Sequence, residues 1–240
     1  MPEITADSFF NGRIQIRQGR GGYRFSIDAV LLAHYARPRP ADRVLDLGTG
    51  CGIIPLILAF RYSDITLYGI EIQKELSDLG AFNVNNNQMK KRITILCRDM
   101  RTLKSNMIQG PVDLVICNPP YRKSDSGRLN PDHQRAVARH EIKATLSDVV
   151  EAARRMLRTA GRFTVIYTAE RAVELLRRMH ANGIEPKMLR SIHSSRDSAA
   201  RLVLVAGVKG GRPGTRIASP LILYDDDGNY TAEVQAMFEP

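Results

Sequence analysis

Short apolar runs alternate along the chain with longer segments whose apolar positions recur every three or four residues. The first pattern is typical of buried strands and the second of amphipathic helices. Seven strands and one short edge strand are predicted, at residues 44–47, 65–70, 93–97, 112–117, 163–167, 184–192, 202–208 and 221–224. Helices are predicted at 27–35, from 51 onward, from 74 to about 85, at 144–157 and at 170–181. This alternation predicts an α/β fold, with a seven-stranded, mostly parallel sheet and helices on both faces.

The length of 240 residues fits one large α/β domain, so we expect residues 1–240 to form a single domain. Within it, 1–40 is expected to be an N-terminal loop and a flanking helix. Its first part, 1–24, is polar and rich in glycine, which predicts a loop or a short hairpin. Residues 118–142 form a long polar segment without periodicity. Loops of this length in a compact domain usually serve a function, so we expect this one to contact the substrate.

The chain carries 35 Lys and Arg against 25 Asp and Glu, which gives a formal charge of +10. Such an excess favours polyanionic partners, and its concentration in 13–24, 122–128 and 187–216 favours RNA or DNA. The three cysteines are far apart, and no histidine pairs with Cys or Glu at a metal-ligand spacing. We therefore expect a reduced, cytoplasmic protein without a metal site. The longest apolar run, 53–60, is too short to span a bilayer.

A glycine-rich loop follows the first predicted strand of the sheet. Asp46 ends that strand, and Gly48, Gly50 and Gly52 come before a helix. Glycine lets a backbone approach a ligand closely, and the helix N-terminus offers free N–H groups. The dinucleotide fingerprint requires glycine where Ile53 stands, so the loop belongs to a different cofactor class.

Acidic residues also end the next two predicted strands. Glu71 closes the second strand and Asp99 follows the third. A carboxylate at such a position can accept hydrogen bonds from both hydroxyls of a ribose. Taken singly, either residue could be a solvated loop carboxylate. Together with Asp46, they place acids at three successive strand ends and predict a cofactor site there.

The fourth predicted strand ends in Asn118-Pro119-Pro120-Tyr121. The prolines make a stiff turn without backbone donors, so the Asn118 side-chain oxygen and the Pro119 carbonyl can both accept from one amine. Such acceptors position a planar amino group for methylation, and Tyr121 would stack on the flat target. Adenine N6, cytosine N4 and protein glutamine all fit this chemistry.

Further segments resemble the bacterial tRNA(valine) adenine-N6 methyltransferase family. Besides the two motifs, they are 22–33 (GYRFSIDAVLLA), 138–141 (ARHE) and the C-terminal PLILY and GNYT, so the resemblance covers about 10–234. It implies a Rossmann-like class I methyltransferase that takes its methyl group from S-adenosylmethionine. The implied substrate is the N6 amino group of adenine at position 37 of a valine tRNA.

The resemblance also implies roles for individual residues. Asp46 would lie near the methionine amino group of the cofactor, and the backbone at Gly48, Gly50 and Gly52 would touch it. Asp99 would accept from the cofactor's adenine amino group. In the helix that flanks the cofactor, Phe25 and Asp28 would line the pocket, although Phe25 fits a core position equally well.

Three other functions fit the motifs. Protein glutamine N5-methyltransferases share the Asn-Pro-Pro-Tyr pattern, but they usually carry a larger helical N-terminal domain. Methyltransferases of rRNA guanine N2 more often have phenylalanine in place of Tyr121. A nucleic-acid-binding module with a vestigial cofactor fold is disfavoured by intact motifs at each of these strand ends. The oligomeric state has no signature in the sequence.

Overall fold

The computed structural model describes residues 4–19, 27–119 and 144–239. The chain begins with an antiparallel hairpin of β1 (Ile4–Phe9) and β2 (Ile14–Gly19). Of the two structures predicted for 1–24, the described part therefore adopts the hairpin. Its buried apolar residues, Phe10, Ile14 and Ile16, join the core of the domain.

Seven long strands form the central sheet, in the order β8-β9-β7-β6-β3-β4-β5. They are β3 (Arg43–Leu47), β4 (Thr66–Glu71), β5 (Ile93–Cys97), β6 (Val112–Cys117), β7 (Leu157–Thr168), β8 (Ile184–His193) and β9 (Ala200–Lys209). Only β9 runs antiparallel to its neighbours among these pairings. The predicted α/β fold with a mostly parallel sheet is confirmed, and the sheet has nine strands among the described residues.

Two short strands extend this sheet at β8, and one of them was predicted. β10 (Arg216–Ile217) and β11 (Leu221–Ile222) both pair with β8 in parallel, and β11 is the edge strand expected at 221–224. β7 is longer than predicted, because it starts six residues before the apolar run at 163–167. Leu157 already pairs with Val112, and a register shift between Val112 and Leu114 absorbs the polar residues that follow.

The helices are α1 (Ile27–Ala36), α2 (Ile53–Arg61), α3 (Lys74–Asn86), α4 (Leu146–Met156), α5 (Ala172–Ala181) and α6 (Ala232–Gln235). Their starts follow local chemistry. Gly52, at φ +83°, turns the chain into α2. At α4, Thr145 and Asp148 form a capping box, in which the Asp148 carboxylate accepts from the Thr145 backbone N–H at 2.7 Å.

The sheet is covered on both faces, as predicted. One apolar cluster joins the hairpin, α1, α2 and the C-terminal segment, and the other joins α4 and α5. Alternate residues of β3 divide between them, with Val44 in the first cluster and Leu45 and Leu47 in the second. No helix among the described residues is long and apolar enough to cross a membrane.

Candidate active site

The carboxyl ends of β3, β4, β5 and β6 meet at one edge of the sheet, where a cavity of about 300 Å³ opens. Because these strands are parallel, the segments that follow them are brought together there. The predicted site residues in its wall are Gly48, Gly50, Glu71, Asp99, Asn118 and Pro119. Motifs as far apart as 48 and 119 in the sequence therefore share one cavity.

The glycine loop is held against the neighbouring strand. The backbone N–H groups of Gly48 and Thr49 both donate to the Ile70 carbonyl, at 2.9 and 3.0 Å. Gly50 has φ +56°, in the left-handed region that a side chain would disfavour. The loop thus turns sharply at the cavity wall before Gly52 begins α2.

Glu71 is buried, and both of its carboxylate oxygens accept backbone hydrogen bonds. Oε2 accepts from the Gly50 N–H at 3.0 Å, and Oε1 accepts from the Gln73 N–H at 2.9 Å. Each oxygen keeps a further lone pair for a ligand hydroxyl. Glu71 therefore connects the glycine loop to the start of α3 while it faces the cavity.

Asp46 is fully buried in β3, and the next residue, Leu47, lines the cavity. Among the residues that the structure describes, neither of its carboxyl oxygens has a hydrogen-bond partner, and the same is true of the buried Thr49 hydroxyl. Burial raises the pKa of Asp46 to about 7, and the negative charge of Glu71 adds to this rise. The nearby Thr49 hydroxyl, outside hydrogen-bonding geometry, opposes it. A ligand with a cationic donor group would satisfy these atoms.

Asp99 lines the cavity between Arg98 and Met100. Its carboxylate forms an ion pair with Arg101, whose Nε and Nη2 donate to Oδ2 at 2.9 and 2.6 Å. The hydrogen bond from Arg101 lowers the pKa of Asp99. Asp99 is therefore an ionised acceptor at neutral pH, held in a fixed orientation by its partner.

Asn118 and Pro119 follow β6 directly and reach the same cavity, half-buried and buried respectively. Their predicted neighbours Pro120 and Tyr121 lie outside the described residues, as does most of the segment 118–142. Phe25 also lies outside them. Asp28 is buried at the start of α1, and the next residue, Ala29, lines the cavity.

Several lining residues escaped the sequence reasoning. Thr49 contributes its buried hydroxyl, Gln73 its backbone donor, and Ile72, Leu76 and Met100 an apolar wall. Two of them could have been predicted from their place in the sequence, because Ile72 and Met100 each directly follow an acid that was predicted to line the site. Ile72, Leu76 and Met100 thus give the cavity an apolar part beside its polar residues, which suits a heterocycle.

The two cysteines that line this site are buried. Burial raises the pKa of the Cys51 thiol to about 11 and that of Cys117 well above its usual value. Cys117 donates its S–H to the Leu47 carbonyl at 3.1 Å. Both sulfurs are therefore neutral thiols. Within 4–19, 27–119 and 144–239, no cluster of three or more His, Cys, Asp or Glu is arranged to hold a metal ion.

Residues 26–182 match the family described as "Methyltransferase small domain". A protein from Tolumonas auensis named tRNA1(Val) (adenine(37)-N6)-methyltransferase is 29% identical over 96% of this chain and 94% of its own length. A relative of the same name from Porphyromonas gingivalis is 33% identical over 72% of this chain and 69% of its own.

Solved structures share the architecture. A protein from Agrobacterium tumefaciens described as a predicted O-methyltransferase superposes with a TM-score of 0.70, at 21% identity, over 88% of this chain and 94% of its own. Geranyl diphosphate methyltransferase in complex with SAM superposes with a TM-score of 0.55, at 15% identity, over 75% and 84%. These likenesses establish the fold, and the identities are too low to carry more.

Proposed function

The chain belongs to the methyltransferase small domain family and, within it, to the tRNA1(Val) (adenine(37)-N6)-methyltransferase family, and on this premise we propose a specific reaction. The enzyme transfers a methyl group from S-adenosylmethionine to the N6 amino group of adenine 37 in a valine tRNA. One observation carries the proposal. Asn118 and Pro119, which can accept from an amine, lie in the same cavity as the glycine loop and Glu71.

The cavity residues fit S-adenosylmethionine. When bound, this cofactor supplies a methyl group on a positively charged sulfur. Glu71 would accept from its ribose hydroxyls, and Asp99 would accept from its adenine amino group. The buried polar atoms of Asp46 and Thr49 have no hydrogen-bond partner within the described part of the chain, and they suit the cationic amino end of the methionine. Ile72 and Met100 supply apolar contact for the adenine ring.

Asn118 and Pro119 do the positioning. The lone pair of an exocyclic amine is delocalised into its ring, so the nitrogen is a poor nucleophile. The Asn118 side-chain oxygen and the Pro119 carbonyl accept its two N–H groups, which fixes the nitrogen and favours a pyramidal geometry. The new cationic amine then loses a proton to water, so no strong base is needed. Tyr121 would stack on the target base, and Phe25 and Asp28 would complete the pocket.

The remaining parts of the proposal concern the whole chain. Residues 1–240 form one domain, in which 118–142 contacts the substrate and 1–40 flanks the cofactor. A basic surface binds tRNA by its phosphates, and the enzyme works in the cytoplasm, where tRNA is found. The net charge of +10 supports a polyanionic partner over a protein such as a release factor.

The test separates the substrate classes. Purified enzyme and labelled S-adenosylmethionine are incubated with total tRNA, total rRNA or total protein from cells that lack the enzyme. Nucleosides are then identified by mass spectrometry. N6-methyladenosine in tRNA alone is the expected result. Label in protein glutamine, or N2-methylguanosine in rRNA, would overturn it.

A further inference from the structure

The edge of the sheet opposite the cavity carries a crowded group of cations, here named the basic rim. It comprises the side chains of Arg37, Arg39, Arg43, Arg154, Arg158, Arg162 and Lys209. They come from the end of α1, the start of β3, the end of α4, the first part of β7 and the end of the antiparallel β9. All of these chain positions lie at the amino ends of the parallel strands.

Ion pairs and hydrogen bonds tie the rim together through two acids. Arg162 pairs with Asp42 and donates to the Arg37 carbonyl at 2.9 Å. Asp113 pairs with Arg158 and accepts from the Arg43 backbone N–H at 2.9 Å. Asp42 and Asp113 thus connect four of the seven named residues, Arg37, Arg43, Arg158 and Arg162. The seven cations outnumber these two acids and Glu185 of the neighbouring β8, so the rim carries an excess of positive charge.

Some of these cations stabilise the fold by binding backbone carbonyls. The Arg43 guanidinium donates to the carbonyls of Pro111 and Ile108, and the Lys209 ammonium donates to those of Arg154 and Leu157. Cations near helix C-termini are also favoured by the helix dipole. In the described part of the chain, Arg37, Arg39 and Arg154 have no such structural role. All three are exposed, and none of their side chains forms an ion pair or a hydrogen bond within the described residues.

The cations of the rim also repel one another. Burial lowers the pKa of Lys209, and the charge of Arg154 lowers it further. Burial likewise lowers the pKa of Arg162, and Arg39 adds to that effect while Asp42 opposes it. Unbalanced positive charge that is held close together by the fold is stabilised by bound anions.

We propose that the basic rim is a second RNA-binding surface, which holds backbone phosphates of the tRNA away from the base that is methylated. This inference rests on the proposed function, because it concerns the same substrate. Asp113 lies at the rim and Asn118 at the cavity, five residues apart in or next to β6, which is about 17 Å along the strand. The rim and the cavity therefore lie at opposite ends of β6.

The cavity edge of the last two strands is a poorer candidate for this role. Arg196 and Arg201 are exposed in and beside the β8–β9 turn. Asp197 lies between them in the sequence. The acidic turn at Asp225 to Asp227 is adjacent, because the Tyr224 backbone N–H donates to the Ser194 carbonyl at 2.9 Å. The stretch 187–216, predicted as one basic region, is therefore divided between two edges, with Lys209 on the rim and Arg196 near acids.

The test compares two double variants that remove equal charge. R39Q/R154Q neutralises two exposed cations of the rim, and R196Q/R201Q neutralises two at the other edge. Each is assayed with a full-length valine tRNA transcript and with its isolated anticodon stem-loop. Binding of each RNA is measured at several salt concentrations, and S-adenosylmethionine binding by calorimetry checks that the fold is intact.

For R39Q/R154Q we expect KM for full-length tRNA to rise about tenfold, with KM for the stem-loop changed less than about twofold. The salt dependence of tRNA binding should weaken by about one to two in log–log slope. R196Q/R201Q should leave both values near those of wild type. Three results would overturn the proposal that the rim binds RNA: R39Q/R154Q weakens the use of both RNAs equally, R39Q/R154Q weakens neither, or R196Q/R201Q has the larger effect on full-length tRNA. The proposed function would be overturned instead if R39Q/R154Q weakens tRNA binding but the wild-type protein methylates no tRNA.

Discussion

The carboxylate of Glu71 accepts a hydrogen bond from the Gly50 backbone N–H at 3.0 Å, across the 21 residues that separate them. Its second oxygen accepts from the Gln73 N–H at 2.9 Å. One buried side chain therefore sets the position of the glycine loop relative to the start of α3. It also lines the cavity, so we expect it to affect cofactor binding both directly and through the position of the loop.

Glu71→Gln tests this dual role. The amide keeps one acceptor oxygen but turns an NH₂ group towards the Gly50 or Gln73 N–H, so two donors face each other. We expect a loss of about 1–3 kcal/mol in the free energy of unfolding. Affinity for S-adenosylmethionine should fall by about tenfold or more. Urea denaturation and calorimetry measure the two effects, and a variant with wild-type stability would contradict the bridging role.

Asp46→Asn should make the protein more stable at high pH. Burial raises the folded-state pKa of Asp46 from 3.8 to about 7, so the folded chain holds this proton more tightly than the unfolded chain. The stabilisation is complete below about pH 4 and is lost as pH rises to 7. An asparagine of the same shape carries no charge. The melting temperature of the variant should match wild type near pH 4 and exceed it by several degrees at pH 8.

The same substitution should weaken binding of the cofactor. A cationic amino group favours the ionised form of Asp46, so the affinity of wild type for S-adenosylmethionine should increase as pH rises through 7. The uncharged amide of the D46N variant cannot respond in this way, and its affinity should be lower and nearly independent of pH in that window. Calorimetry at several pH values checks this, and identical pH profiles would refute the assignment.

The sequence predicted which strand-end residues share the cavity better than it predicted the contacts between distant segments. Glu71, Asp99 and Asn118 were predictable because parallel strands bring their carboxyl ends to one edge. Thr49 was not predicted, since its buried hydroxyl has meaning only beside Asp46. The division of 187–216 between two edges was also missed, because the β8–β9 turn reverses the chain.

Asn83 illustrates a contact that no local pattern reveals. It is fully buried on α3, and its Nδ2 group donates to the Cys51 carbonyl at 2.9 Å and to the Arg17 carbonyl at 3.0 Å. Its Oδ1 atom accepts from the Arg17 backbone N–H at 2.9 Å. One amide thus joins the N-terminal hairpin, α3 and the glycine loop.

Asn83→Ala should therefore cost about 2–4 kcal/mol in the free energy of unfolding, because it leaves buried backbone groups without partners. Asn87→Ala is the matched control. Asn87 binds the backbone of Gln15 in the same way, with hydrogen bonds of 2.9 and 2.7 Å, but in an exposed setting. Water can replace those bonds, so its loss should be below about 1 kcal/mol. Equal losses in urea denaturation would argue against the connecting role of Asn83.

Asn118→Ala separates chemistry from cofactor binding. Asn118 follows β6 into the cavity, and we assign its side-chain oxygen to the amine of the substrate. Removing one preorganised partner of a reacting group costs about 100-fold or more in kcat. The dissociation constant of S-adenosylmethionine should stay within about twofold of wild type, since Glu71, Asp46 and the glycine loop are unchanged. Asn118→Asp, which keeps an acceptor of the same reach, should retain more activity than the alanine variant. Single-turnover methylation and calorimetry measure the two quantities, and a parallel loss of rate and cofactor affinity would assign Asn118 to the cofactor instead.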